Sequence, residues 1–359
     1  MQDLQALIAQ WDGEFVASTY DKQTGSWIFL AIHDTTLGPA LGGVRMKTYP
    51  TPADGLRDAM RLAAGMTHKW AALGLERGGG KSVLAVPQPL TGDKRRHLLH
   101  RYGRLIAALG GTYACGPDLG TTPEDIRTIG DMTEHAHGWD RAHDQPLDPG
   151  PYTALGVFVG IRSALREALG SDAIQGRTVL IQGIGDVGVP LARRLVEAGA
   201  TLALTDIDGD RVSRLAGQLG ASVVAPAAAY THPCDVYAPC AVGATVNATT
   251  IPQLACRIVA GSANNQLAEV EDGARLHARG ILYAPDYVIN AGGAAALPPL
   301  TAGADKAAVV ARVEGIERTL DEIFAEAREA GEPTAVTARR RVERILAEGR
   351  ARKEQAPAG

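Results

Sequence analysis

Residues 178–206 read TVLIQGIGDVGVPLARRLVEAGATLALTD, and this stretch decides the fold. The apolar run Thr178 to Gln182 predicts a buried strand, VPLARRLVEAG a helix, and Thr201 to Thr205 a second buried strand. Strand, helix and strand in that rhythm build a parallel sheet. Between the first strand and the helix lies Gly183-Ile-Gly185-Asp186-Val187-Gly188. A glycine triplet alone is weak in a chain with 42 glycines. Placed between a strand and a helix it has a physical use: a tight turn, close approach of backbone to a pyrophosphate, and free N–H groups at the helix start. The plainer reading is an α/β turn that merely needs glycines. Asp186 would repel a pyrophosphate and is expected to point to solvent. Asp206 ends the second strand, 18 residues beyond Gly188, where an acid can bond a ribose 2′-hydroxyl. A 2′-phosphate would meet that carboxylate, so the expected cofactor is NAD rather than NADP.

Outward from this core the chain has two textures. It opens with a short polar helix, then GSWIFLAIHD (25–34) as a strand, a glycine-rich loop LGPALGG (37–43), and a helix with a strong start: Thr51 as N-cap, Pro52 at the first position, Asp54 in the first turn. Its apolar face is Leu56, Ala59, Met60 and Ala63. DRAHDQPLDPGP (140–151) is poor in apolar residues and reads as a linker, followed by a helix through Val157 to Leu169. The tail from Lys306 to Lys353 is charged and helical, broken near Gly331 to Pro333. The expected architecture is α/β in two domains separated by a cleft: an N-terminal α/β catalytic domain over 1–145 and a C-terminal Rossmann domain over 146–334. The helix of about 335–359 is expected to pack back on the first.

With 359 residues, 45% hydrophobic and 21% charged, the chain has the balance of a globular protein. A net charge of −4 without basic runs gives no support to nucleic-acid binding. No run of about 18 apolar residues suggests a membrane span. MQDLQALIAQWDGE lacks the pattern of a secretory signal. Cys115, Cys234, Cys240 and Cys256 form no C-x-x-C pair, so neither a disulfide framework nor a zinc site is expected, and the cytoplasm is the default location.

Gly78-Gly79-Gly80-Lys81-Ser82 resembles the end of a P-loop, but Leu75 stands where that motif needs glycine, so Lys81 needs another explanation. Lys69 and Lys81 flank WAALGLERGGG. Two buried lysines close together depress each other's pKa, which suits one as a base and one as a carboxylate anchor. Two surface lysines at the ends of a loop are an equally good reading of the spacing. Asp118 in TYACGPDLGTT is either partly buried or a turn aspartate.

The segments HDTTLGPALGG (33–43), GMTHKWAALGLERGGGKSV (65–83), DLGTT (118–122), IQGIGDVG (181–188), TDI (205–207), YAPCAVGATVN (237–247), AGSANNQL (260–267) and APDYVINAGG (284–293) run in order across nearly the whole chain. Together they resemble the Glu/Leu/Phe/Val amino-acid dehydrogenase family, in its leucine/phenylalanine/valine branch. The resemblance implies that Lys69 holds the substrate α-carboxylate, Lys81 is the general base activating water, and Asp118 shuttles protons to and from the amino group. It places Thr153 near the nicotinamide carboxamide and Asn264 and Asn265 between cofactor and substrate. Cys240 and Ala241 lie in the loop passing the cofactor, Cys240 as a packing residue rather than a nucleophile. It also implies a homo-oligomer and an active site in the interdomain cleft. The reaction needs a base, a proton shuttle and a carboxylate anchor, and no metal.

The same resemblance shapes the substrate expectation. Glutamate-specific relatives carry a lysine where Leu41 stands, and a leucine gives an acidic side chain nothing to pair with. Leu41, Gly42, Gly43, Met66, Gly116, Ala294 and Leu297 are the remaining pocket candidates. Gly116 and Ala294 remove volume, so a ring is admissible, yet leucine, valine and isoleucine rank ahead of phenylalanine and tryptophan. AAALPPLTAGADK (294–306) departs from the family and is read as small residues with a Pro-Pro turn. His68 is taken as structural, and His135, His137 and His143 as a solvated surface. The rivals are a 2-hydroxy-acid dehydrogenase, which would need a His–carboxylate pair, and a non-catalytic regulatory homologue, which would lack Lys69, Lys81 or Asp118.

Overall fold

The computed structural model describes residues 4–355. The first three residues of the expected opening helix and residues 356–359 of the expected last helix lie outside the described residues. The chain divides into two compact units: 1–147 with 297–304 and 342–359, and 148–296 with 305–341.

In the first unit, helix α1 (Leu4–Ala9) precedes strands β1 (Phe15–Asp21), β2 (Ser26–Asp34) and β3 (Ala40–Lys47), helix α2 (Pro52–Ala72), strand β4 (Gly78–Ala85), helix α3 (Gly92–Ala108), strand β5 (Tyr113–Pro117) and helix α4 (Pro123–Gly130). A two-stranded ribbon, β6 (Trp139–Asp140) with β7 (Gln145–Pro146), ends it. The main sheet runs β1-β2-β4-β3-β5, with β3 parallel to both β4 and β5. On one face Phe29, Ala31, Val83 and Ala85 meet Leu56, Ala59, Met60 and Ala63 of α2. On the other, Val44, Met46 and Leu84 meet Leu98, Leu99, Tyr102 and Ile106 of α3 and Ile126 and Ile129 of α4. Each large side chain so buried contributes about 1.5–3 kcal/mol. The start of α2 is a capping box: Thr51 and Asp54 satisfy each other's backbone amides.

Two expectations change here. ALGG is not loop but the start of β3, and GGGKS is not a loop end but the fully buried head of β4. Close packing, rather than turning, demands these glycines. A Cβ at Gly42 would lie 1.7 Å from the Gly80 carbonyl oxygen, and one at Gly79 2.0 Å from Thr67 Oγ1 on α2. The reading of two surface lysines at loop ends fails with it, since Lys81 is buried in a central strand and Lys69 half-buried on α2.

The second unit begins with α5 (Gly150–Leu169), earlier than expected, and continues with β8 (Thr178–Gln182), α6 (Gly188–Glu197), β9 (Thr201–Thr205), α7 (Gly209–Leu219), β10 (Ser222–Val223), β11 (Val236–Pro239), β12 (Ile258–Val259), α8 (Glu271–Ala278), β13 (Leu282–Tyr283) and α9 (Asp286–Ile289). The six strands lie in the order β10-β9-β8-β11-β12-β13, all parallel. Counted within the unit this is 3-2-1-4-5-6, the order of a Rossmann fold. Its switch point falls between β8 and β11, beside Gly183.

Three helices complete the chain: α10 (Gly292–Thr301), α11 (Lys306–Ala330) and α12 (Thr334–Gln355). The expected Pro-Pro turn is instead inside α10. Pro298 and Pro299 have no N–H to donate, but Ala295 before them bonds to Ala291, and their own carbonyls accept from Ala302 and Ala304, so the helix runs through. Gly331 takes the left-handed conformation that closes α11. In the first unit, Arg350 of α12 bonds to Asp34, and Lys353 to the Thr35 carbonyl.

Candidate active site

Strand parity assembles the first unit's polar cluster. Leu41 pairs with Gly79 and Arg45 with Val83, while Gly43 pairs with Gly116 on the other side. Side chains alternate along a strand, so Leu41, Gly43, Arg45, Lys81 and Gly116 share the face that also carries Val83, the face covered by α2. Asp118, two residues past Gly116, joins them just beyond β5. Lys81 Nζ stands 3.1 Å from Asp118 Oδ2, with 8% of the lysine side chain and 20% of the aspartate exposed. Arg45 Nε donates to the same oxygen at 2.8 Å. Gly43 makes room for the pair, because a Cβ there would sit 2.8 Å from Asp118 Cβ and 2.9 Å from Lys81 Nζ.

The electrostatics follow from this geometry. Burial works to raise the Asp118 pKa, but the charges of Lys81 and Arg45 outweigh it and hold the carboxyl down at about 2. Burial pushes the Lys81 pKa down, and Arg45 pushes the same way against the attraction of Asp118. An ionised acceptor thus faces a lysine biased toward its neutral form, which is the division of labour that acid–base chemistry needs.

Leu41 is buried, and its carbonyl accepts from Trp70 Nε1 at 2.9 Å. Met66 and Lys69 lie half-buried on α2, three residues apart. Gly116 has space beside it: a Cβ would meet only the His137 carbonyl, at 3.4 Å. His137 corrects the reading of a solvated histidine surface. Its Nδ1 is enclosed without a partner, and burial, aided by Arg77, His135 and Arg141, lowers its pKa to about 4. His143 is exposed and pairs with Asp140. Among the described residues no group of three or more His, Cys, Asp or Glu is arranged to hold a metal ion.

In the second unit the glycine turn joins strand to helix in the form of a dinucleotide-binding turn. Gly183 has φ +97° and lies against Ala241, and a Cβ at Gly188 would be 2.0 Å from the Gly183 carbonyl oxygen. Gly185 faces open space, and Asp186 is exposed. Val187 precedes α6 with no side-chain cap; in the first turn Val189 N donates to the Gly185 carbonyl at 3.1 Å and Pro190 has no N–H, so Gly188 is the first-turn residue whose amide can meet an anion. Asp206 Oδ2 accepts from Ile184 N at 2.8 Å and Oδ1 from Asp208 N at 3.0 Å. These amides lower its pKa against burial, so the turn and an ionised carboxylate are locked together.

Around that cradle, Thr153 Oγ1 donates to the Pro149 carbonyl and accepts from Gly293 N, both at 3.1 Å. Asn264 is exposed and its Oδ1 accepts from Asn290 Nδ2 at 2.8 Å. Asn265 follows in the left-handed region, φ 51°. Burial raises the thiol pKa of Cys240, which suits packing and not nucleophilic attack. Ala294 is half-buried and Leu297 buried. Sequence reading missed Arg45, Asp58 and Tyr49, a polar set behind Asp118. The available signal was an arginine two residues from Gly43 on the same strand face.

A Rossmann sheet with a glycine turn, and a buried lysine–carboxylate pair on a second α/β unit, define a dinucleotide-dependent enzyme. The chain belongs to the Glu/Leu/Phe/Val dehydrogenase family: that family's dimerisation domain matches residues 20–135, and the Glutamate/Leucine/Phenylalanine/Valine dehydrogenase model matches residues 208–347. It is therefore an amino-acid dehydrogenase, an oxidoreductase working with a nicotinamide cofactor. It is 42% identical over 347 residues to the leucine dehydrogenase of Bacillus subtilis (strain 168), covering 96% of this chain and 95% of that one. Phenylalanine dehydrogenase of Thermoactinomyces intermedius is 38% identical, with 90% and 88% covered. The crystal structure of L-tryptophan dehydrogenase from Nostoc punctiforme superposes with a TM-score of 0.83 at 37% identity, over 97% of this chain and 100% of that chain. No described helix is long and apolar enough to cross a membrane.

Proposed function

We propose that this chain catalyses the reversible oxidative deamination of an apolar L-amino acid of the leucine, valine or isoleucine type, yielding the 2-oxo acid, ammonia and NADH. The observation that carries this reading is the buried pair of Lys81 and Asp118 on the sheet face that also carries the apolar Leu41. Lys69 holds the substrate carboxylate. Asp118, ionised, takes a proton from the substrate ammonium so that the amine is neutral when its Cα is oxidised. Bound NAD supplies the oxidising ring, accepting the hydride that leaves Cα. Lys81, as the base, then removes a proton from the water that attacks the iminium carbon; Asp118 returns its proton to the amine of the resulting carbinolamine and, ionised again, takes the hydroxyl proton as the C–N bond breaks, releasing ammonia and the 2-oxo acid.

NAD rather than NADP is favoured by Asp206, an ionised carboxylate at the end of β9 that would repel a 2′-phosphate bound beside it. Thr153, the glycine turn, Cys240, Ala241 and Asn264 are assigned to the cofactor. Leu41, Gly42, Gly43, Met66, Gly116, Asn264, Ala294 and Leu297 are assigned to the substrate. Leu41 disfavours glutamate, because desolvating an unpaired carboxylate is costly. A second reading, an aromatic substrate, is favoured by the open space at Gly116. The match to a dimerisation domain supports a homo-oligomer, and four free, partly or fully buried thiols suit the reducing cytoplasm.

A panel of leucine, valine, phenylalanine, tryptophan and glutamate with NAD and with NADP tests this. Expected is ammonia-dependent NADH oxidation with 2-oxo acids, highest kcat/KM for a branched aliphatic substrate, and no turnover of glutamate. Oxidation of NADH that does not require ammonia would overturn the reading.

A further inference from the structure

We propose that Arg45 is a positioning residue of this reaction, clamping one oxygen of Asp118 so that the other is left to exchange protons with the substrate amine. The inference rests on the functional reading above and extends it to a residue outside the assigned chemistry.

Arg45 stands on β3, the strand flanked by β4 and β5, and its guanidinium bridges two carboxylates. Nε donates to Asp118 Oδ2 at 2.8 Å and Nη1 to Asp58 Oδ2 at 2.9 Å. Asp58, on α2, is held in turn by the Tyr49 hydroxyl at 2.7 Å on Oδ2 and by Arg61 Nη2 at 2.8 Å on Oδ1. A continuous chain therefore ties α2, β3, β4 and the loop after β5 into one geometry: Tyr49 and Arg61, Asp58, Arg45, Asp118, Lys81. Both donors to the Asp118 carboxylate, Arg45 and Lys81, fall on Oδ2. Oδ1 has no hydrogen-bond donor among the described residues. Its direction is set by the clamp on its twin.

The charges make the same point. Those acting on Lys81 are Asp118 from the loop after β5, Arg45 from β3 and Asp58 from α2. Two guanidinium groups, Arg45 and Arg61, are paired with the two carboxylates, Asp118 and Asp58. Arg45 disfavours the lysine cation, whereas Asp58 favours it. An arginine is suited to this place because its rigid planar fork donates from separate nitrogens to two carboxylates, whereas a lysine offers its donors from a single rotatable nitrogen.

The test compares Arg45→Gln, Arg45→Lys and Asp58→Asn with the wild type, using pH profiles of kcat for amino-acid oxidation per NADH-binding site. Arg45→Gln should lower kcat by roughly 100-fold through a misplaced Asp118. It should also move the rise of rate with pH upward by about one unit, since Lys81 loses a neighbouring positive charge and its pKa climbs. Asp58→Asn should move the rise the opposite way, to lower pH, because a charge that favours the lysine cation is gone. Arg45→Lys keeps the charge and loses the fork: the midpoint should stay and kcat should fall roughly tenfold. A structural role alone would lower melting temperatures while leaving wild-type kcat and midpoint per binding site, and that result overturns the proposal. If Arg45→Gln does not fold, wild-type kcat in Arg45→Lys or an unmoved midpoint in Asp58→Asn overturns it equally. A wild type that binds NADH but oxidises no amino acid overturns the functional reading itself, which separates the two failures.

Discussion

Lys81 lies within β4 of the first unit and Gly183 just past β8 of the second, and the two regions prepare for charge by opposite means. The first buries ionisable side chains drawn from positions 45, 58, 81 and 118, and uses Gly43 only to make space. The second uses almost no side chains: a glycine turn leads into a helix start, and its one carboxylate, Asp206, is itself bonded by backbone amides. The difference matters for tuning. Buried side-chain ions shift each other's pKa, so they suit proton transfer. Amides do not titrate, so they suit holding a phosphate at any working pH.

Four substitutions break or sharpen this comparison. Lys81→Ala should have the largest effect, a fall in kcat of roughly 10³-fold or more, with NADH affinity by fluorescence titration unchanged. Gly43→Ala forces a methyl against Asp118 and Lys81, and should cost roughly 10²-fold in kcat with KM for NAD near wild type. Gly188→Ala is its counterpart: its Cβ would collide with the Gly183 carbonyl, so KM for NAD should rise about tenfold while the pH profile keeps its midpoint. If either glycine variant moved both quantities together, the separation of roles would fail. Smallest is Gly116→Ala. The methyl fits, and it should shift the ratio of kcat/KM for leucine over phenylalanine upward by about 1–2 kcal/mol, roughly tenfold.

Much of this molecule was legible because some sites are contiguous. The strand, glycine turn, helix and Asp206 fall within 178–206, so the spacing of a single segment carries the cradle. The capping box at Thr51 and the break at Gly331 are local in the same sense. GGGKS and ALGG misled as loops because glycine signals a turn when read locally, whereas here it answers to a helix and a strand pressed close from elsewhere in the chain. Prolines 298 and 299 misled likewise, since the bonds that carry α10 past them come from neighbouring turns.

The sequence by itself determined the βαβ rhythm, the glycine turn with Asp206 at the end of the next strand, and the start of α2. Spacing alone left Lys69 and Lys81 open between a base with its anchor and two surface residues. Only the tertiary structure decided that Lys81 is buried against Asp118, that Arg45 clamps the same carboxylate oxygen, and that His137 is enclosed. The physical reason is that burial and charge coupling are properties of distance in space. Strand pairing brings residues 45, 81 and 118 together, α2 packing adds residue 58, and no local pattern records that they meet.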